Sequence, residues 1–340
     1  MTKRQQSRHV RVWSDQARHA TVAYFPQSSA QCVFVSPPAD KDIIMAYQIV
    51  DSNYGKNWVK LLHVTRNGPE HTIREWEVCS ELTLNSKDDY ISGDNSAIIA
   101  TDSQKNTIYL LAKNHGLTTP EEFGLLLCRH FLAQYSHVNR VNILIKQHPW
   151  SRIQAADGPH EHAFVTVREA ERGCQVRQLR GQQATVWAEL NGLQVLKTTQ
   201  SSFVNFVNDE YRSLPDAKDR VFSTVVSARW RYVGSQRPVD YDACWSAVRE
   251  AILELFAGPA RGGIFSPSVQ NTLYLTQVRV LNQLPDVAEI EMVMPNKHYF
   301  SVDLSKFPRV GSASNDEVFL PVDKPSGNIR CVLARANSKL

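Results

Sequence analysis

Five stretches of this 340-residue chain carry side chains suited to gripping and deprotonating a planar, polar heterocycle. In YGKNWVK, Lys56 stands just before a strand-like segment, where its amine can project beyond a sheet edge. A solvated surface lysine is the ordinary alternative. In IIATDSQKNT, an apolar run leads into Thr101 and Asp102 at a helix start. Either side chain serves as a plain N-cap, while the free backbone N–H groups of a helix N-terminus also suit an anionic ligand.

The third stretch, LKTTQSSFVNFVNDEYRSLPDAKDR, holds Phe203 and Arg220. An aromatic face can stack on a flat ring, and the planar guanidinium fork can bind two acceptors of a ring edge at once. A core phenylalanine and a surface ion-pair arginine are the plainer readings. In SPSVQNT, Val269 and Gln270 fall in the first turn of a helix, and the Gln270 amide offers a donor and an acceptor from one group. In MPNKHYF, Asn296 and His298 are two apart at a strand start, which places them on one side of a regular strand.

The hydrophobic periodicity supplies elements to hold these residues. A strand begins near Tyr54, and a second runs through HTIREWEVCSELTL, with RNGPEH as the hairpin connection. TDSQKNTIYLLAK and TTPEEFGLLLCRHFLAQY read as helices. The second has Thr119 as N-cap, Pro120 at the first helical position, Glu122 closing a capping box and Phe123, Leu127 and Phe131 as an apolar stripe. HVNRVNILIKQ and HAFVTVREA return to strand alternation.

The order then repeats. LQVLKTT and RVFSTVVSARWRYV read as paired strands flanking a short helical FVNFVNDEY. DYDACWSAVREAILELFAG is a helix with Trp245, Val248, Ile252 and Phe256 on one face and Gly258 as its stop. A further helix opens with Ser266 as cap and Pro267 in its first turn, and AEIEMVMPNKHYFSVDL supplies a closing pair of strands. The expected class is α+β, with two tandem β-β-α-α-β-β units that each lay a helix pair on one face of an antiparallel sheet. The expected boundaries are an N-terminal extension over 1–45, units over 46–171 and 172–325, and a C-terminal tail over 326–340. Uncovered sheet faces and edges point to assembly of several subunits.

Composition narrows the partners. With 42% hydrophobic and 21% charged residues and a formal net charge of +4, the chain reads as globular, with no membrane span and no nucleic-acid surface. Six scattered cysteines without C-x-x-C spacing suit free thiols in a reducing compartment. Residues 1–39 are basic and acid-poor, which fits a flexible tail or a transit segment.

Together, in this order, YGKNWVKLL, ATDSQKNTIY, LQVLKTTQSSFVNFVNDEYRSLPDAKDR and MPNKHYF resemble urate oxidase (uricase) over roughly residues 50 to 340. The resemblance implies the tunnelling fold, with four subunits stacked into a hollow barrel and sites shared between subunits. It implies urate and O2 as substrates, 5-hydroxyisourate and hydrogen peroxide as products, and no cofactor or metal. By the same resemblance Lys56, Thr101 and His298 form a proton relay. Phe203 stacks on the purine, Arg220 and Gln270 clamp its edges, Asn296 borders the oxygen or water site, and the backbone N–H groups of Asp102 and Val269 add hydrogen bonds.

The chain ends Ser338-Lys339-Leu340, a receptor-read peroxisomal address. A peroxide-forming enzyme fits that compartment, so an import receptor is an expected partner. Three alternatives stand beside this reading. His160 and His162 could ligate a metal from one strand. A zinc-dependent pterin or guanine-nucleotide enzyme such as GTP cyclohydrolase shares the tunnelling fold. The third is a catalytically silent purine-binding or peroxisomal structural protein, against which the presence of Lys56, Thr101 and His298 argues.

Overall fold

Side chains that alternate along the strands divide one sheet into an oily face and a charged face. A computed structural model of the chain describes residues 47–167, 169–234, 238–307 and 315–336. Within it, Asp51–Leu340 form one unit, distinct from Met1–Val50. The first half runs β1 (Tyr54–Asn67), β2 (Glu70–Leu84), α1 (Thr101–His115), α2 (Pro120–Gln134), β3 (Val138–His148), the hairpin β4 (Trp150–Ala155) and β5 (Gly158–Thr166), then β6 (Glu171–Leu179). The second half repeats it: β7 (Thr185–Lys197), β8 (Phe222–Tyr232), α3 (Tyr241–Ala257), α4 (Val269–Gln283), β9 (Val287–Val293), the hairpin β10 (Asn296–Ser301) and β11 (Phe319–Gly327), then β12 (Arg330–Ala334). The antiparallel sheet follows the order β1-β2-β3-β6-β7-β8-β9-β12, and β10 with β11 branches from β8.

Val78, Leu82, Val141, Ile143, Ile145 and Val176 are buried on the helix face, where they meet Phe123, Leu127 and Phe131 of α2. Thr119 caps α2 by accepting the Glu122 N–H at 3.2 Å. Gly258 ends α3 at φ +73°, a conformation that glycine adopts without steric cost. The opposite face carries a cross-strand row of Glu77, Lys146, Gly173, Glu189, Arg229 and Glu291. Such a face is satisfied by its own charge pairs and water and needs no apolar cover. Lys146–Glu171 at 2.9 Å and Arg231–Glu289 at 2.9 Å belong to these pairs.

Arg172 of β6 joins the two helix layers. It donates to the buried Glu121 in the first turn of α2 at 2.8 Å and to Asp242 in the first turn of α3, and its guanidinium lies 5.9 Å from the Trp245 ring. Burial pushes the Glu121 carboxyl above the ordinary glutamate value even with Arg172 beside it.

Several local expectations are corrected. The HAFVT part of HAFVTVREA, residues 162–166, falls in an arm of the β4–β5 hairpin, and β6 closes the first repeat. Alternation alone does not separate a sheet strand from a hairpin arm. The topological junction therefore lies in the β6–β7 turn, downstream of 171. Similarly, β12 pairs with β9, so the closing strand comes from residues assigned to the tail, and Arg335 also bonds to the Val287 carbonyl at 2.9 Å. FVNFVNDEY is not helical: Phe203 pairs with Ala217 in an isolated bridge, and Asn205 sits at φ +59°. Ser268 rather than Ser266 caps α4, because the Ser266 hydroxyl is engaged by Lys197 and Thr272.

Candidate active site

Lys56 stands where β1 is pressed against β2. It pairs with Ser80, and a Cβ on the preceding Gly55 would lie 1.7 Å from the Ser80 carbonyl oxygen. Only glycine permits that approach. Beyond Lys56 the register shifts at a bulge, with Trp58 at φ +55° and its N–H donating to Cys79 Sγ at 3.2 Å. Bulges re-aim side chains at strand ends.

Three contacts, two of them fully buried, fix the start of α1 against this point. The Tyr54 hydroxyl accepts the Ile99 N–H at 2.9 Å. Gln104 accepts the Ser80 hydroxyl at 2.8 Å and donates to the Ile99 carbonyl at 3.1 Å. Thr101, the first helical residue, thus comes to the Lys56 end of β1, with Asp102 next to it. Lys105, 2.5 Å away, holds the Asp102 carboxyl below the ordinary aspartate value through a hydrogen bond and its charge, and Lys56 contributes more weakly. Lys56 and Thr101 are both partly exposed, and no hydrogen bond joins the Lys56 amine or the Thr101 hydroxyl to another side chain among the described residues.

The second cluster forms where β7 ends and β8 and β10 begin. Phe203 exchanges backbone hydrogen bonds with Ala217 at 2.8 and 3.0 Å, and the Arg220 N–H reaches the Ser201 carbonyl at 2.9 Å. This folds the intervening loop so that the Arg220 guanidinium carbon lies 5.2 Å from the Phe203 ring centroid. Burial lowers the Arg220 pKa, its Nε is buried without a hydrogen bond, and no carboxylate pairs with it among the described residues. Ser201 bridges to Ser266, and Ser202 N–H donates to the Ser266 carbonyl at 3.0 Å, which brings the α4 N-terminus alongside. Val269 is the first helical residue and is buried; Gln270 follows and is exposed.

Asn296 pairs with Thr224 of β8, two residues beyond Phe222. A register shift separates Asn296 from His298, so regular alternation does not set their shared side. The His298 ring stacks on Phe300 at 5.7 Å.

Phe203, Arg220, Val269, Gln270 and Asn296 therefore gather at one end of the second repeat, and Lys56, Thr101 and Asp102 gather in the first. The two clusters are not joined within one chain. Five strand spacings separate β1 from β8, about 24 Å along the sheet at ~4.8 Å per strand. His160 and His162 lie on β5 with ring centroids 4.6 Å apart, and among the described residues no group of three or more His, Cys, Asp or Glu forms a metal-binding cluster. Ser338, Lys339 and Leu340 lie outside the described residues.

Sequence reasoning missed the groups behind these clusters. Tyr54, Ser80 and Gln104 support the first, and Phe206 stacks on Phe203 at 4.5 Å with Arg212 4.0 Å beyond it. A buried glutamine in an otherwise apolar helix face was the available signal for Gln104. Phe206, three residues after Phe203, signalled an aromatic pair once the loop was recognised.

The profile of the uricase family matches residues 52–177 and 188–330, dividing close to the junction of the two repeats. The uricase of Drosophila melanogaster is 48% identical over 317 residues, covering 86% of this chain and 90% of the relative. That of Danio rerio is 46% identical over 288 residues, covering 85% and 95%. The crystal structure of uricase from Arthrobacter globiformis superposes with a TM-score of 0.78 at 36% identity, covering 86% of this chain and 98% of that one. Family profile, relatives and fold agree: the chain belongs to the uricase family.

Proposed function

We propose that this protein oxidises urate with molecular oxygen and water to 5-hydroxyisourate and hydrogen peroxide, without a metal or organic cofactor. The observation that carries this reading is Arg220. A partly buried guanidinium with no carboxylate partner among the described residues, set beside an aromatic face and the first turn of α4, suits a flat anion.

Urate is an anion at neutral pH, and loss of a further proton gives a ring rich enough in electrons to reduce oxygen. The protein's task is then to hold the ring and move protons. Phe203 supports one face, Arg220 and the Gln270 amide grip opposite edges, and the N–H groups of Asp102 and Val269 add donors. Lys56 takes or relays the proton that the Thr101 hydroxyl passes, because a hydroxyl alone is too weak an acid or base near pH 7. His298 delivers protons to the departing peroxide, and Asn296 borders the oxygen or water position above the ring. Orientation and stabilisation of the dianion supply the rate.

The separation of the two clusters supports a site shared between two copies of the chain. Among the described residues β1, β11 and β12 each pair with a strand on one side only, and their free backbone groups are edges that a second copy can pair. A homotetramer built from such pairs brings Lys56 and Thr101 of one subunit to Arg220 and Gln270 of another. The Ser338-Lys339-Leu340 tail serves as the peroxisomal address, and its deletion leaves the enzyme in the cytosol.

Chelator-treated protein should consume oxygen, bleach the urate absorbance and release an equal amount of peroxide. Activity that is lost on chelation and restored only by a metal refutes the cofactor-independent reading.

A further inference from the structure

Lys197, the last residue of β7, has no place in the proton or substrate steps above, yet its surroundings are specialised. Its Nζ donates to the Ile264 carbonyl and to the Ser266 hydroxyl, both at 2.8 Å, and lies 5.8 and 5.5 Å from the ring centroids of Phe222 and Phe256. No carboxylate pairs with it among the described residues, and burial lowers its pKa. An ammonium partly withdrawn from solvent and held by two neutral acceptors and two aromatic rings is an uncommon arrangement, since a cation taken out of water is usually matched by an anion.

Ser266, its acceptor, is the knot that ties the two halves of the substrate cluster. Its backbone N–H donates to the Gln200 carbonyl at 2.9 Å, and its carbonyl accepts from Ser202 at 3.0 Å, on the segment that leads into Phe203. Its hydroxyl accepts from Thr272 Oγ1 at 2.8 Å, in the first turn of α4, the turn that carries Val269 and Gln270. Ser266 is almost fully buried, so its bonds are not shared with bulk water. The Gln200 side of the contact adopts φ +62°, held there by the surrounding pairings.

We propose that Lys197 is a positioning residue that, through Ser266, sets the spacing between the Phe203 platform and the Gln270 end of α4, and so fixes the width of the slot for the purine ring. This rests on the functional reading given above. Lys56 and Thr101 are held by a separate network around Ser80 and Gln104, so loosening the Lys197–Ser266 contact weakens ring binding while the proton relay stays assembled.

The test uses full-length Lys197→Met and Ser266→Ala, together with their double variant. The measurements are urate kinetics, equilibrium binding of xanthine, thermal melting and sedimentation. The expected result is a rise of about tenfold in KM and in the xanthine Kd for each single variant, with kcat within about threefold of the parent, the pattern of lost uniform binding. The double variant should lose clearly less than the product of the two single effects, because both changes break the shared Lys197–Ser266 contact. A folded Ser266→Ala with unchanged KM and xanthine affinity overturns the inference, as does a fall in kcat with KM unchanged. Should Lys197→Met fail to fold, Ser266→Ala decides alone. A parent protein that neither oxidises urate nor binds xanthine overturns the functional reading itself, a result distinct from a parent that does both and variants that match it.

Discussion

The Ser80 hydroxyl donates to Gln104 Oε1 across 2.8 Å inside the protein, linking the strand partner of Lys56 to the first turn of the helix that Thr101 opens. Both residues are fully buried. The amide of Gln104 also holds the Ile99 carbonyl, so a single side chain sets the distance between the amine on β1 and the hydroxyl on α1. Gln104→Leu, of similar volume, removes both bonds and strands the Ser80 hydroxyl. A stability loss of about 1–3 kcal/mol follows from the unsatisfied groups. The more telling outcome is kinetic: kcat should fall about tenfold or more, because small displacements of reacting groups are costly, while xanthine binding changes little. Parent-like kcat in a folded Gln104→Leu enzyme would detach this network from the proposed relay.

Arg172 offers a test of how the repeats are joined. It is the counter-charge of the fully buried Glu121 and also reaches Asp242, so the helix pairs of the two repeats meet on one guanidinium. Arg172→Met leaves a buried carboxylate alone, which costs about 3–5 kcal/mol in comparable situations. The pH dependence has a definite sign. The Glu121 pKa is already raised by burial, and loss of the arginine raises it further. A carboxyl whose folded pKa lies above its unfolded value contributes stability below the unfolded value and loses it as pH rises through the folded value. The penalty of Arg172→Met should therefore be largest at neutral pH and shrink on acidification. Denaturant midpoints across a pH series at fixed protein concentration measure it; a penalty that grows toward acid would contradict this account.

Much of this architecture was legible before any coordinates. Thr119, Pro120 and Glu122 announce the start of α2 because capping is a local matter. Gly258 marks the end of α3 for the same reason. The strands that failed were those whose identity depends on partners far away: alternation in HAFVTVREA is real, but nothing local says that β4 rather than β3 is its neighbour. Short β12 escaped because five residues carry too little periodicity, and its place is set by β9 alone. The proposed chemistry-bearing residues came from motif resemblance. Their supports were not, since Ser80 acquires its meaning only when Gln104, 24 residues away, folds onto it. The helix cap at Ser268 shows a local competition resolved by tertiary contacts, because Lys197 claims the other serine.

The distance between the two clusters yields a sharper prediction than either cluster alone. Lys56→Met and Thr101→Ala should each reduce kcat by about a hundredfold or more, the scale of lost acid–base catalysis, while xanthine still binds. Arg220→Ala should instead abolish most ring binding. If one site draws Lys56 from one subunit and Arg220 from another, these defects can complement. Co-expressing Lys56→Met and Arg220→Ala chains places an intact lysine half against an intact arginine half in roughly a quarter of the sites of randomly mixed oligomers. Activity should rise far above the sum of the separately purified variants and should fall again when the chains are expressed apart. Sites confined to single chains would gain nothing from mixing, because every chain carries one broken half. Absence of recovery in oligomers shown by mass spectrometry to contain both chains would thus contradict the shared site.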